Sequence, residues 1–379
     1  MRSLGFFAIA LCAAPAFAAT PLPQALPDTS DTRAPGADAF AMFAPTSDPI
    51  RHRIDYDIWD WALKNMVVSM GPSNRQTAGI PEPSLGTRIR QGHNSRYRLE
   101  GSLVGFSFLE RDVIASFTEY RKDLESVGDT LDIASLPRNE QLAFWFNLHN
   151  VAMVEQVALA WPVRQPREIE IGGVPLDDAK FITVRGVSMS PRDIREKIVY
   201  ANWRNPKVIY GFWRGEIGGP ALEREAYTGA NVSSLLNIAA KDYVNSLRAT
   251  QKSGDRLDVS SMYEETAPFF FPDFERDVRA HLTEYAEEEL SEILAKTTRT
   301  SASIREYDIA DLSGGHRQAN YLFIDSGIGS SRVPAAMAQL LVDRQRKLET
   351  MKRRDQPTGR VIFSNIDLPG DPPNKNAVE

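Results

Sequence analysis

Apolar residues recur at helical spacing over several long stretches, with short extended runs between them. Ile54 to Met70 reads as an amphipathic helix, with Ile58, Trp61, Ala62, Met66 and Val67 on one stripe. Asp112 to Val127 reads as a second helix. Gln141 to Trp161 is apolar almost all round, which predicts a helix lying centrally in the core. Ser190-Pro191-Arg192-Asp193 combines a hydroxyl cap, Pro at the first helical position and an acid at the third, and predicts a helix start with the helix running to about Tyr200. Asn231 to Leu247, Phe274 to Ala295 and Val333 to Arg354 complete the helices. Lys352, Arg353 and Arg354 close the last one, where cations suit the negative end of the helix dipole.

Extended character is short and scattered. Ser102 to Phe108 nearly alternates, and Lys207 to Trp213 (KVIYGFW) is β-branched and aromatic, so both read as strands. Arg167 to Met189 holds two extended runs broken by Gly172-Gly173 and Gly186, which fits hairpins. Tyr321 to Ile324 is a further short strand. Gly71 to Gly101 is a long insertion carrying Arg75, Arg88, Arg90, Arg96 and Arg98. A loop of that length inside a domain serves a function or crosses the surface as solvated chain. The expected class is α+β, a helix-rich single domain with a small sheet of short strands. A flexible Pro-rich leader at 19–49 precedes the domain at 50–325. The amphipathic helix at 333–354 and a disordered tail at 355–379 follow it.

The first residues change the chemistry that is available. Arg2, the apolar run Leu4 to Ala14 and Ala16-Phe17-Ala18 form the pattern of a secretory signal peptide over 1–18. Export is therefore expected, to the periplasm or the medium. The apolar run is too short for a permanent span, and Leu142 to Trp161 is interrupted by Asn147, His149, Asn150, Glu155 and Gln156. No transmembrane anchor is expected after cleavage. Cys12 is the only cysteine, so the trimmed chain would hold no disulfide, thiol nucleophile or thiolate ligand. The 44 Lys and Arg against 50 Asp and Glu give a charge of −6, which argues against a nucleic-acid partner.

Several segments in order carry a resemblance. They are Arg98-Leu99-Glu100-Gly101, LPRNEQLAFWFNLHNVAM (136–153), ITVRGVSMSPRDIREKI (182–198) and NPKVIYGFW (205–213). Then come YTGANVSSLLNIAAKDYV (227–244), VSSMYEETAPFFFPDF (259–274) and REYDIADL (305–312). Together they resemble the family named domain of unknown function 547, over roughly residues 54 to 312. Where many members read His-Phe-Ala-Leu-Asn-Cys-Gly, this chain has Ile209 to Gly215, so the family's histidine falls on Ile209 and its cysteine on Arg214. A second family histidine, in an Ile-Glu-His step, aligns within Ile194-Arg195-Glu196. The resemblance therefore implies a divergent member, unable to use that Cys and His as nucleophile and base.

The candidate polar residues follow from these features. Asn147 and Asn150 share a face of an apolar helix, and a buried amide needs partners, so they tie loops to the core or line a polar pocket. His149 takes the place of the family's Tyr and reads as a satisfied core histidine or a catalyst. Arg214 binds an anionic ligand or pairs with Glu216 or another acid. Phe269-Phe270-Phe271 is core or a docking patch. His52 with Asp55 and Asp57, or His316 with Asp308 and Asp311, has only chance spacing, and His93 and His281 stand alone, so no metal and no cofactor are expected. Gly327-Ile328-Gly329 lacks the remaining glycine of a dinucleotide loop. The expected function is a non-thiol binding or structural domain of the cell envelope, a pseudoenzyme with an envelope partner or a small anionic ligand. The alternative is a hydrolase using a relocated histidine, His149 or His316, with a serine or carboxylate.

Overall fold

The structure, a computed structural model, describes residues 38–47, 49–81, 92–317, 321–325, 330–359 and 377–379, with the backbone alone over 321–325 and 330–333. The expected signal peptide, Cys12, Arg88, Arg90 and Gly327-Ile328-Gly329 lie outside the described residues. In chain order the elements are α1 (Asp57–Met66), β1 (Val67–Ser69), β2 (Ser102–Val104), α2 (Arg111–Thr130) and α3 (Arg138–Ala160). Two hairpins follow, β3 (Glu170–Ile171) with β4 (Val174–Pro175) and β5 (Ile182–Val184) with β6 (Val187–Met189). Next come α4 (Pro191–Asp193), a π-helical turn (Ile194–Val199), α5 (Tyr200–Asn202) and α6 (Val232–Val244). The remainder is β7 (Thr250–Ser253), β8 (Arg256–Ser260), α7 (Ser261–Phe270), α8 (Phe274–Tyr285), α9 (Glu288–Ala295), β9 (Arg299–Ile304), β10 (Tyr321–Asp325), β11 (Ser330–Pro334) and α10 (Ala335–Arg353).

Helices dominate and the strands are short, so the class is α+β. The strands do not join into one sheet. Among the described residues they form four two-stranded ladders and one three-stranded sheet, β7-β8-β9. β7 pairs antiparallel with β8, and β8 pairs parallel with β9. α3 lies at the centre of the larger apolar cluster, with Phe144, Trp145, Phe146, Leu148 and Val151 fully buried. A second cluster fills the space between α6, α8 and the three-stranded sheet, around Tyr210, Tyr243, Tyr263, Val278 and Leu282.

The helix start at Ser190 has the expected cap in both directions. The Ser190 hydroxyl accepts from the Asp193 amide at 3.1 Å, and the Asp193 carboxylate accepts from the Ser190 amide at 3.0 Å. Ser190→Ala removes one partner of a buried helix amide and is expected to cost about 1–2 kcal/mol, read as a lower urea midpoint with an unchanged slope.

Several elements differ from the sequence expectation. Residues 206–211 form a 3-10 helix, not a strand. Asn205 caps it by accepting from the Lys207 amide at 3.0 Å, and Pro206 supplies a preset φ at the first position. That local start overrides the β-branched content. On α1 the buried stripe is Trp59, Leu63 and Met66, while Ile58 and Trp61 are 70 % and 69 % exposed. Trp59, Leu63 and Met66 repeat at four and three residues and win the inward face. The run 274–295 is two helices, broken at Ala286 and Glu287.

Two segments expected to be loose hold packed residues. Residues 39–43 form a 3-10 helix that buries Phe40 and Phe43, and Phe43 packs edge-on against Trp145 at 5.1 Å. Asp38 caps that turn. Near the other end, the Val378 amide donates to Asn139 Oδ1 at 2.8 Å, and the Asn205 amide donates to the Glu379 carbonyl at 2.8 Å.

Candidate functional site

α3 carries three of the candidate residues into the core, and each is held by partners from a different segment. Asn147 closes a two-way bond with the Tyr227 backbone, donating to its carbonyl at 2.7 Å and accepting from its amide at 3.1 Å. Asn150 grips the chain at the end of the 3-10 helix. Its Nδ2 donates to the Gly211 carbonyl at 3.0 Å, and its Oδ1 accepts from the Trp213 amide at 3.0 Å. Gly211 is required there, because a Cβ would sit 2.4 Å from the Phe146 ring. These amides therefore tie neighbouring segments to the core helix.

His149 is fixed by the same arrangement. Nδ1 lies 3.1 Å from Asn150 Oδ1, and Nε2 lies 3.1 Å from Arg195 Nη1. Arg195 can only donate, so Nε2 accepts and Nδ1 carries the proton. Burial lowers the ring's pKa to about 3, and the Arg195 charge adds to this. His149 is thus a neutral ring between an amide oxygen and a guanidinium. Arg195 also donates to Asp177 Oδ2 at 2.6 Å. Burial works to raise the Asp177 carboxyl, but Arg195, Arg214 and Arg192 outweigh it and hold the group well below the usual carboxylate range.

Arg214 and Glu216 do not pair with each other. Arg214 Nη1 donates to Glu265 Oε2 at 2.5 Å, and Glu216 accepts from Arg167 through both carboxylate oxygens. Arg167 also lies 3.6 Å from Glu265, and its guanidinium stacks 3.5 Å from the Tyr307 ring centroid. Burial raises the Glu216 carboxyl even beside Arg214 and Arg167. Burial also works to raise Glu265, but Arg214 overcomes it and lowers the group. The space beside these pairs has about 20 Å³ of free volume, room for one water and not for a substrate.

The other histidines sit apart from this group. His93 Nε2 lies 2.9 Å from the Ile309 carbonyl, and His281 Nε2 lies 2.7 Å from the Tyr210 hydroxyl. His52 and His316 are exposed. Among the described residues, no histidine hydrogen-bonds to a Ser or Thr hydroxyl or to a carboxylate, and no group of three His, Cys, Asp or Glu side chains could hold a metal ion. Asp311, weighed with His316 as a ligand, accepts instead from the Phe106, Ser313 and Gly315 amides, the Ser313 hydroxyl and Trp161 Nε1. Of Phe269-Phe270-Phe271, Phe271 is buried and Phe269 stands 40 % exposed, so the run splits between core and surface.

Asp177, Arg195, Glu265 and Arg167 belong to this cluster and were not among the sequence candidates for it. Arg195 was visible only as the middle residue of the step aligned with the family's Ile-Glu-His, next to Glu196 at the missing histidine. Asp177 follows a hairpin, and Glu265 lies in a helix that the pattern did not predict.

The segment that supplies Asn147, His149, Asn150, Arg195, Arg214 and Glu216 is the part of the chain that matches a family model. The model is described as "Protein of unknown function, DUF547", and it matches residues 133–244. Over that stretch the chain is similar to the DUF547 family. The match is narrower than the 54–312 span expected from the motifs, leaving Arg98 to Gly101, 259–274 and 305–312 outside it. No curated protein and no solved structure matches the chain.

Proposed function

We propose that this protein is exported and works in the cell envelope as a non-thiol binding or structural module, a pseudoenzyme of its family. Export rests on Arg2, the apolar run to Ala14 and Ala16-Phe17-Ala18. Among the described residues no helix is long and apolar enough to cross a membrane.

One observation carries the non-catalytic reading. Where the resembled family has cysteine this chain has Arg214, already committed to Glu265, and where it has histidine this chain has Ile209, buried in the second apolar cluster. A nucleophile with a base in reach is the minimum for covalent catalysis, and neither position supplies one. His149 does not replace them, because both ring nitrogens are occupied and the ring stays neutral.

The test is a broad esterase, peptidase, amidase and glycosidase screen with the purified protein lacking residues 1–18. Rates at the buffer background are expected. Turnover that disappears in His149→Asn, in a variant still folded by circular dichroism, would overturn the proposal.

A further inference from the structure

A cleft lies away from the His149 cluster, between α10 and the segments 74–81 and 93–99. Its volume is about 720 Å³, within the range of small-molecule pockets. Its lining includes the apolar residues Ile80, Pro81, Ala335, Ala336 and Leu340. The lining also holds three cations, Arg98, Arg346 and Lys347, against a single carboxylate, Asp343.

Two of these cations are buried, with Arg98 5 % and Lys347 6 % exposed. Arg98 donates to the Ser95 carbonyl at 3.2 Å and the Gly79 carbonyl at 2.6 Å, two bonds from a group with five N–H donors. Lys347 donates to the Met70 carbonyl at 3.2 Å and the Leu99 carbonyl at 2.6 Å, two of its three. Asp343 stays 3.9 Å from Arg98, beyond hydrogen-bond reach, and is drawn to Gln339 Nε2 at 2.9 Å. Glu100, buried near Lys347, accepts from the Ser73 hydroxyl. A desolvated cation with unmade bonds is costly, and an incoming anion relieves that cost. Burial pulls both cations down, Lys347 to about 8, as expected where the countercharge is incomplete.

We propose that this cleft binds a small organic carboxylate, its head on Arg98 and Lys347 and its apolar body along Ile80, Ala336 and Leu340. The planar guanidinium of Arg98 presents paired donors suited to a carboxylate fork. Asp343, 3.9 Å from Arg98 and 3.7 Å from Arg346, is the built-in competitor for the Arg98 charge. The site shares no residue with the His149 cluster, so enzyme turnover there would leave it standing, and failure here would leave the non-catalytic reading standing.

The probes are octanoate, octanol and inorganic phosphate, titrated by calorimetry against the protein lacking residues 1–18. Octanoate is expected to bind one to one, with octanol and phosphate each at least tenfold weaker. Arg98→Gln is expected to weaken octanoate binding tenfold or more. Because Arg98 also ties down Ser95 and Gly79, Asp343→Asn is the second variant. It removes the competing carboxylate from a half-exposed position and is expected to tighten octanoate severalfold. Undetectable octanoate binding at millimolar concentration, equal binding of octanol, or octanoate affinity unchanged in Asp343→Asn overturns the proposal.

Discussion

Replacing Asn150 with leucine is expected to lower the unfolding free energy by about 3–6 kcal/mol, since a buried polar group stripped of its partner costs about 1–3 kcal/mol. The side chain serves three groups at once: the Gly211 carbonyl, the Trp213 amide and His149 Nδ1. Leucine has similar bulk, so the loss comes from polar groups left in a dry core and not from a cavity. Urea unfolding followed by circular dichroism reads it directly. A brace and a pocket wall give opposite results. If Asn150 faced a wet pocket, water would replace its bonds and the change would stay within about 1 kcal/mol. Such a small change would refute the brace.

The same contrast shows which parts of the molecule could be read from the chain. α3 was legible because its apolar character runs all round, which only a central helix tolerates. That made Asn147 and Asn150 conspicuous as amides needing partners, although the partners themselves, Tyr227, Gly211 and Trp213, lie far along the chain. The Ser190 cap and the Gly-marked hairpins were legible because their signals are local.

The three-stranded sheet was not legible. TQKS, RLDVS and RTSASI are polar, and the parallel pairing of Arg256 with Arg299 joins segments separated by three helices. No local period reports such a contact. α1 failed in a different way. Two apolar stripes compete on it, and the choice between Trp61 and Trp59 depends on what packs beneath. The ion pairs around Arg214 were hidden for a related reason. Glu265 and Arg167 are ordinary charged residues in sequence, and only tertiary structure brings them to one place.

The second large effect is a pH dependence centred on buried, neutral histidines. Burial is the main cause that lowers His149 to about 3, and His93 and His281 each to about 4. In the unfolded chain each ring titrates near 6.5. Their folded values are depressed, so the unfolded state binds protons that the folded state refuses. Their contribution is therefore fully present above about pH 6.5 and is lost as pH falls toward 4. By pH 5 the loss is about 2 kcal/mol for each ring. Glu223, held up to about 8 by burial and by Asp242, works in the opposite direction over the same range, so the wild-type curve alone mixes the two. A comparison with His281→Gln separates them. Glutamine cannot gain the proton, yet its amide oxygen can accept from the Tyr210 hydroxyl, which lies 2.7 Å from His281 Nε2. Urea unfolding of both proteins at pH 7, 6 and 5 is expected to show the wild type's advantage over the variant shrinking by about 2 kcal/mol. An advantage that stays constant across that range means His281 titrates normally in the fold, and the buried-neutral assignment fails.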